Sequence, residues 1–314
     1  MPNLRDWPIA IHFAAIIPIA AVVVATGCAA ASPEPADDGR PLVLTTFTVL
    51  ADMVRNVAGD AVRVESVTRV GAEIHGYEPT PDDLVRAQDA DLVLRNGLGL
   101  EAWFDRFTSR VDAPTATLSD GVPAIAIDAG GHEGRPNPHA WMSTGNALVY
   151  VDNIRDALTD LAPEHADAFA ANAEEYQARV TEIGDDLRER LGGLPEHQRA
   201  LVTCEGAFSY LARDAGLTER YLWPVNADSE GTPQQIAAVI TFVRANDVPA
   251  VFCETTVNDG AQRQVARETG AAWGGDLYVD SLSEPDGPVP TYLDLLRHDA
   301  ETIAAGLTGE ETRS

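Results

Sequence analysis

The longest periodic stretch of apolar positions runs from Pro163 to Leu191. Apolar side chains recur there in steps of three or four, at Ala166, Phe169, Ala173, Tyr176, Val180, Ile183, Leu187 and Leu191. This spacing predicts one amphipathic helix with a buried face. Pro163 suits the first helical turn, and Gly192-Gly193 would supply a left-handed stop. Such a helix would be ~43 Å long, so we expect it to join two domains. A long surface helix of a single domain is the alternative.

Short apolar runs alternate with amphipathic segments on both sides of this helix. The strand-like runs are Leu42–Phe47, Val62–Val67, Asp91–Arg95, Ala124–Ile127, Ala200–Cys204, Tyr221–Val225, Ala250–Glu254 and Ala271–Trp273. Short buried strands that alternate with helices predict βαβ units and mainly parallel sheets. We therefore predict an α/β fold with two lobes, at residues 41–162 and 193–314, joined by one long rigid helix over residues 163–192.

The N-terminal segment has the pattern of an export signal. Arg5 precedes an apolar run from Pro8 to Thr26, and small residues lead to Cys28. This pattern predicts a signal peptide over residues 1–27 and lipidation of Cys28. An uncleaved membrane anchor is the alternative, and in both cases the remainder faces outside the cell membrane. Residues 28–40 have the acidic, Pro-containing composition of a flexible tether.

Composition excludes several classes of function. The chain has 314 residues and a formal net charge of −27, which argues against nucleic-acid binding because phosphate contacts need a basic surface. All 22 residues counted as Lys or Arg are Arg. Without Lys there can be no Walker A loop, no Schiff-base cofactor and no lysine general base.

Four residues that could bind a metal stand in loops or at predicted strand ends. His75 lies in GAEIHGYEPTPDDL and His139 in RPNPHAWMS, a loop stiffened by two prolines. Glu205 ends the strand ALVTCE, and Asp280 lies in LYVDSLS. Ligands of open α/β sheets bind beyond the carboxyl ends of the strands. Taken singly, Glu205 could merely stabilise a helix dipole and Asp280 could be an N-cap.

The chain carries an ordered set of motifs from about Leu42 to Leu307. They are GAEIHGYEPTPDD, NPHAW, VTCEGAFSYLAR, EGTPQQI, VFCETTV and YVDSLS. This set resembles the cluster A-I solute-binding proteins, the metal-binding lipoproteins of bacterial manganese, zinc and iron ABC importers. The resemblance implies two α/β lobes joined by a long helix, with one divalent ion between them. It also implies that the ion is bound by four side chains, namely those of His75, His139, Glu205 and Asp280.

The chain departs from the family pattern at two places beside these residues. Glu73-Ile74 replaces the usual Asp-Pro before the first His, and Asn137 stands where Asp is common. Both departures bear on the hydrogen bonds that would hold the imidazoles.

The residue type at the third metal-binding position, Glu205, indicates which metal the site prefers. Zinc-carrying relatives mostly have a third His at the position of Glu205 and a long His-rich loop before the second ligand, whereas this loop contains only His132 besides His139. Two imidazoles with two carboxylates form a harder ligand set that can reach a higher coordination number. We therefore expect Mn²⁺, with Fe²⁺ or Zn²⁺ as alternatives. We expect His132 to be solvated and not a metal relay.

Cys204 and Cys253 fall on two predicted strands of the second lobe. Because each lies inside an apolar run, we expect buried free thiols, and a disulfide is the alternative.

Three functions compete for this set of residues. The leading hypothesis is a monomeric extracytoplasmic carrier, anchored to the membrane through Cys28, that delivers a metal to a permease powered by a separate ATPase. Four protein ligands suit holding an ion, because catalytic zinc sites usually keep one position open. A metallohydrolase and a surface adhesin with a structural ion are the alternatives. The sequence contains no HExxH or GxSxG motif.

Overall fold

The computed structural model describes residues 39–104, 111–128, 130–225 and 231–309. The predicted signal peptide, Cys28 and the tether up to residue 38 lie outside the described residues. Within the described ranges, no helix has both the length and the apolar character needed to cross a membrane. The boundaries predicted for the two lobes remain predictions.

The first half of the chain forms a four-stranded parallel sheet. Its strands are β1 (Leu42–Thr45), β2 (Arg63–Ser66), β3 (Leu92–Arg95) and β4 (Thr115–Thr117), in the order β2-β1-β3-β4. Its helices are α1 (Thr48–Ala58), α2 (Pro81–Gln88) and α3 (Thr144–Leu161). Every residue of β1 is buried. A continuous apolar strand of this kind is expected where a parallel sheet is covered on both faces.

The second half repeats the alternation of strand and helix. The strands are β5 (Ala200–Glu205), β6 (Thr218–Trp223), β7 (Ala250–Glu254) and β8 (Ala272–Leu277), and β5 pairs with β6 and β7 with β8, both in parallel. The helices are α5 (Ser209–Ala215), α6 (Pro233–Ala245), α7 (Gly260–Thr269) and α8 (Tyr292–Thr308). The prediction of an α/β fold with mainly parallel sheets and a long helix is confirmed.

The long helix α4 spans Ala166–Leu191 and follows a 3-10 turn at Pro163–His165. Seven of the eight predicted apolar positions are buried, from Phe169 to Leu191, and Ala166 is half-buried. This face packs against α1, α3 and α8. Helices α1 and α3 belong to the first half of the chain and α8 belongs to the second. The buried face of α4 therefore packs against both halves and joins them into one hydrophobic core.

Two local predictions are wrong. Gly192 has φ −59°, and neither Gly192 nor Gly193 has a positive φ, so α4 has no left-handed stop. It ends instead in tight turns in which the N–H groups of Gly192 and Leu194 donate to the carbonyls three residues before them. The strand expected at Ala124–Ile127 is reduced to a single antiparallel bridge between Ala126 and Pro136.

The strand that completes the first sheet is β4, which the apolar pattern did not reveal. It is only three residues long, has the sequence TAT and is partly exposed. A strand at the edge of a sheet is often short and polar. A strand of three residues is too short to show the apolar alternation that would reveal it in the sequence. The sequence pattern over Glu101–Val111 also predicts a helix, but residues 105–110 of this range lie outside the described residues.

A substitution on α4 tests how closely it packs against α3. A Cβ atom on Gly184 would overlap the side chain of Thr144, the first residue of α3. We expect Gly184→Val to lower the free energy of unfolding by about 1–3 kcal/mol, because overpacking displaces the two helices. The exposed neighbour provides the control: Glu182→Val should change it by less than about 0.5 kcal/mol. Equal values for both variants in urea titrations would contradict this packing.

Candidate metal centre

The four predicted residues meet at one point between the two halves of the chain. The Nε2 atoms of His75 and His139 are 3.1 Å apart. Glu205 Oε1 lies 3.4 Å from the first of these atoms and 3.5 Å from the second. Asp280 Oδ1 lies 4.0 Å from His75 Nε2. The side chains of His139, Glu205 and Asp280 are fully buried, and that of His75 is 4% exposed.

His75 is held by the turn that contains it. The carboxylate of Glu73 accepts hydrogen bonds from the backbone N–H groups of His75 (2.7 Å) and Gly76 (2.9 Å). Trp103 Nε1 donates to the carbonyl of Ile74 at 2.9 Å. The residues that replace the common Asp-Pro pair therefore brace the loop by other means.

His139 is oriented by Asn137. Asn137 Oδ1 lies 2.9 Å from His139 Nδ1 and also accepts from the backbone N–H of His139 at 3.0 Å. Since an amide oxygen can only accept, Nδ1 carries the proton and the lone pair of Nε2 faces the site. Asn137 Nδ2 donates to the carbonyl of Gly206 at 2.6 Å and lies 3.1 Å from Ser209 Oγ. One side chain thus connects His139 to the residue that follows Glu205.

Glu205 lies at the carboxyl end of β5, where the chain must turn sharply. The next residue is Gly206, and a Cβ atom there would lie 2.8 Å from the ring of Tyr221 on the paired strand. The backbone N–H of Gly206 donates to the carbonyl of Trp223 at 3.0 Å. The strand therefore carries the Glu205 side chain into the crevice and requires a glycine directly after it.

Asp280 belongs to a loop that the first half of the chain holds in place. Trp141 Nε1 donates to the carbonyl of Val279 at 3.1 Å. The N–H of Leu282 donates to Thr48 Oγ1 at 3.1 Å, and the N–H of Gly71 donates to Ser281 Oγ at 2.7 Å. The residues on both sides of Asp280 are therefore bonded to the opposite half. Sequence reasoning missed the roles of Thr48 and Ser281, because an isolated hydroxyl gives no signal of its partner.

Burial keeps both imidazoles neutral. It lowers the pKa of His75 to about 3, with His132 as a secondary cause, and lowers the pKa of His139 well below its usual value. A neutral imidazole offers its lone pair to a metal without first losing a proton. The arrangement is therefore suited to binding a cation between two nitrogen and two carboxyl donors.

His132 lies on the wall of a cavity of about 300 Å³ that also borders His75. The structure does not bring His132 into the cluster of four donors, and no role in metal capture is assigned to it.

The prediction of free thiols is wrong, because Cys204 and Cys253 form a disulfide with a Cα–Cα distance of 4.9 Å. Both cysteines are fully buried at the ends of neighbouring strands. The apolar context of each residue correctly indicated burial. It could not indicate that the two side chains point toward each other.

Comparison with known proteins places this geometry in a family. Residues 43–306 match the family model described as "Zinc-uptake complex component A periplasmic". The chain belongs to this family, as the ordered motifs indicated. Its members are solute-binding proteins for metal transport, so the chain is a metal-binding transport protein and not an enzyme. This excludes the metallohydrolase alternative.

Individual relatives differ in the metal that their names give. The iron-binding protein YfeA of Yersinia pestis is 50% identical over 88% of this chain and 90% of its own length. The manganese-binding lipoprotein MntA of Halalkalibacterium halodurans is 34% identical over 91% of this chain and 95% of its own length. A Mn-bound periplasmic metal binding protein from Candidatus Liberibacter asiaticus superposes with a TM-score of 0.80 at 39% identity, over 85% of this chain and 100% of that chain.

Removal of the Asn137 side chain should weaken metal binding without unfolding the protein. We expect Asn137→Ala to raise the Kd for a divalent metal about 10–100-fold, because His139 loses the partner that fixes its proton. Asn153 is the matched control: its amide also donates to two carbonyls, at Leu118 and Asp120, but it belongs to α3. Asn153→Ala should leave the Kd unchanged. Equal effects of the two substitutions in competition titrations would remove Asn137 from the site.

The buried carboxyl of Glu219, which is hydrogen-bonded to the Ser209 hydroxyl beside Asn137, should make the stability of the protein depend on pH. Glu219 accepts from Ser209 Oγ at 2.5 Å and from the N–H of Phe208 at 3.0 Å, and burial raises its pKa to about 7. Between pH 4.5 and 7 the unfolded chain loses this proton while the folded chain keeps it. Folding is therefore destabilised as the pH rises through that window. We expect Glu219→Gln to flatten this part of the melting temperature profile of the metal-free protein. An unchanged profile would contradict the assignment.

Proposed function

We propose that this chain captures one divalent transition-metal ion, with Mn²⁺ favoured, between its two halves through His75, His139, Glu205 and Asp280. The observation that carries the proposal is the convergence of two neutral imidazoles and two buried carboxyl groups from four separate segments. As a substrate-binding protein of an ABC importer, the chain would deliver this ion to a permease.

The distances support one shared ion. Two atoms bonded to the same metal at about 2.0–2.1 Å can lie no more than about 4.2 Å apart. The separations of 3.1, 3.4 and 3.5 Å among His75, His139 and Glu205 fall well inside this limit. The separation of 4.0 Å between His75 Nε2 and Asp280 Oδ1 is close to it. Asp280 must therefore lie nearly opposite His75 across the ion, or approach slightly when the ion binds.

Mn²⁺ is favoured by the chemistry of the donors and Fe²⁺ is the nearest alternative. Carboxylate oxygens are preferred ligands of Mn²⁺, whereas softer metals prefer thiolates. Two carboxylates that bind through both oxygens can raise the coordination number beyond four. Relatives named for manganese support this choice, whereas the relative that is 50% identical is named for iron. Intrinsic affinity increases from Mn²⁺ to Fe²⁺ and is higher still for Zn²⁺. Selection of Mn²⁺ would therefore depend on geometry and supply.

The order of binding follows from how the donors are held. His75 and His139 lie in loops braced within the first half, by Glu73 and Asn137 respectively. They form a preorganised pair that meets the ion first, and Glu205 and Asp280 complete the site. Because α4 is buried along its length against both halves, we expect the movement to be small and concentrated in loops of the second half near Asp280.

Location and partners follow from the same family. The chain would act outside the cytoplasmic membrane as a monomer, anchored through a lipid on Cys28, beside a permease with a separate ATPase. One relative named as a manganese-binding lipoprotein and another named as a manganese ABC transporter substrate-binding lipoprotein support this part of the proposal.

A substitution that keeps shape but removes charge tests the site. We expect Glu205→Gln to raise the Kd for Mn²⁺ by about 100-fold or more, since a neutral amide oxygen is a weaker ligand for Mn²⁺ than a carboxylate oxygen. Asp52→Asn is the matched control, because Asp52 is also a buried carboxyl but belongs to α1 and accepts from Tyr292 N–H and from Asn56 instead of contacting the two imidazoles. It should bind Mn²⁺ as tightly as the wild type.

Competition titrations of the purified chain with Mn²⁺, Fe²⁺ and Zn²⁺ test the proposal further. One ion per chain is expected, and Glu205→Gln should weaken all three metals. A wild-type protein that binds none of them, or a Glu205→Gln variant of unchanged affinity, would overturn the proposed site.

A further inference from the structure

The two central strands of the second half meet without sharing a sheet. In the described part of the chain, β5 belongs to one two-stranded sheet and β7 to another, although the two strands lie side by side. We call the boundary between Ala200–Glu205 and Ala250–Glu254 the β5–β7 seam. Glu205 stands at the end of this seam.

Gln262 on α7 occupies the middle of the seam. Its Nε2 atom donates to the carbonyl of Val202 on β5 at 3.0 Å and to the carbonyl of Phe252 on β7 at 2.9 Å. The side chain is fully buried. The side-chain amide of Gln262 thus provides hydrogen bonds to one carbonyl on each strand. In a continuous sheet, backbone N–H groups would provide such hydrogen bonds.

Two further links close the seam beside the metal centre. The disulfide between Cys204 and Cys253 joins the penultimate residues of the two strands. The carboxyl of Glu254 accepts a hydrogen bond from the backbone N–H of Glu205 at 3.2 Å. Among these links only the disulfide is covalent, and it is attached to the residue directly before Glu205.

We propose that the Cys204–Cys253 disulfide is a positioning cross-link for Glu205, so that breaking it weakens metal binding. The inference rests on the proposed function, because it concerns the same ion. Ligand distances tolerate deviations of only ~0.2 Å. The ladder with Trp223 holds Glu205 on the β6 side. On the β7 side, the disulfide is the covalent link that fixes the strand end next to Glu205.

The same arrangement makes the site sensitive to reduction. A phosphine reductant gives an electron pair to the disulfide and takes oxygen from water, and the two protons of that water complete two thiols. Cys204 and Cys253 are then no longer joined, and the seam depends on Gln262 and Glu254. Reduction of this bond therefore favours release of the ion.

The test compares the oxidised full-length chain with Cys204→Ala/Cys253→Ala. We expect the double variant to raise the Kd for Mn²⁺ by tenfold or more, measured by chelator competition at a temperature at which both proteins are folded. Val239→Ala is the matched control, because Val239 is buried in the same apolar cluster but belongs to α6, which packs against β6. It should lower the melting temperature while leaving the Kd within about twofold. A stabilising role alone would give both variants equal losses of affinity.

A readout without metal separates this inference from the proposed function. In the metal-free double variant, amide hydrogen exchange should be faster than in the wild type in peptides that cover residues 203–206, and unchanged in peptides that cover β1. If the wild type bound no metal, the proposed function would fail while this exchange result would still test the cross-link. Wild-type affinity and unchanged exchange in the double variant would overturn the inference. Should that variant not fold, Cys204→Val/Cys253→Ala, which restores volume, replaces it with the same expected results.

Discussion

Two acidic side chains, Glu205 and Asp280, lie fully buried beside two neutral imidazoles. Burial of acidic groups is unfavourable unless a cation or hydrogen bonds offset the loss of water. The four donors bring acceptor atoms and no positive charge to one point. In the proposed function, a bound metal ion would supply the charge that this arrangement lacks, and its binding free energy would stabilise the folded protein.

The fold makes this meeting possible through a simple geometric rule. Parallel strands present their carboxyl ends at one edge of a sheet, and both halves direct that edge toward the same crevice. Helix α4 buries one face against helices of both halves and so connects the two sides of the crevice. Fine adjustment comes from hydrogen bonds that cross it. Asn137 reaches from His139 to Gly206, and Trp141 reaches to the carbonyl beside Asp280. In each of these bonds, a side-chain N–H group of the first half donates to a backbone carbonyl of the second half.

Much of this structure could be predicted from the sequence, for reasons that also explain the failures. The period of α4 and the apolar runs such as β1 and β7 report burial directly, because buried positions repeat with the geometry of the element. The edge strand β4 and the way in which α4 ends were not predicted correctly. A short polar strand has no such repeat, and the sequence does not indicate whether a glycine adopts a negative or a positive φ. The cysteine pairing escaped because it depends on the direction of two side chains after folding.

The four residues predicted as metal ligands lie together in the structure, although none of them could be singled out individually from the sequence. His75 and Asp280 are each compatible with an ordinary loop, and only their order along a family pattern singled them out. The supporting residues were beyond sequence reasoning. Gln262 and Glu254 form hydrogen bonds with backbone groups of β5. The sequence around a polar residue in a helix or strand does not indicate which distant backbone group it will contact. Such contacts form only when distant segments meet.

The most direct test of this account is anomalous X-ray diffraction from crystals of the protein loaded with Mn²⁺, recorded at the manganese absorption edge. The account predicts one strong peak about 2.0–2.3 Å from donor atoms of His75, His139, Glu205 and Asp280. A peak elsewhere in the molecule, or one bonded to the histidines while Glu205 and Asp280 remain at a distance, would contradict it.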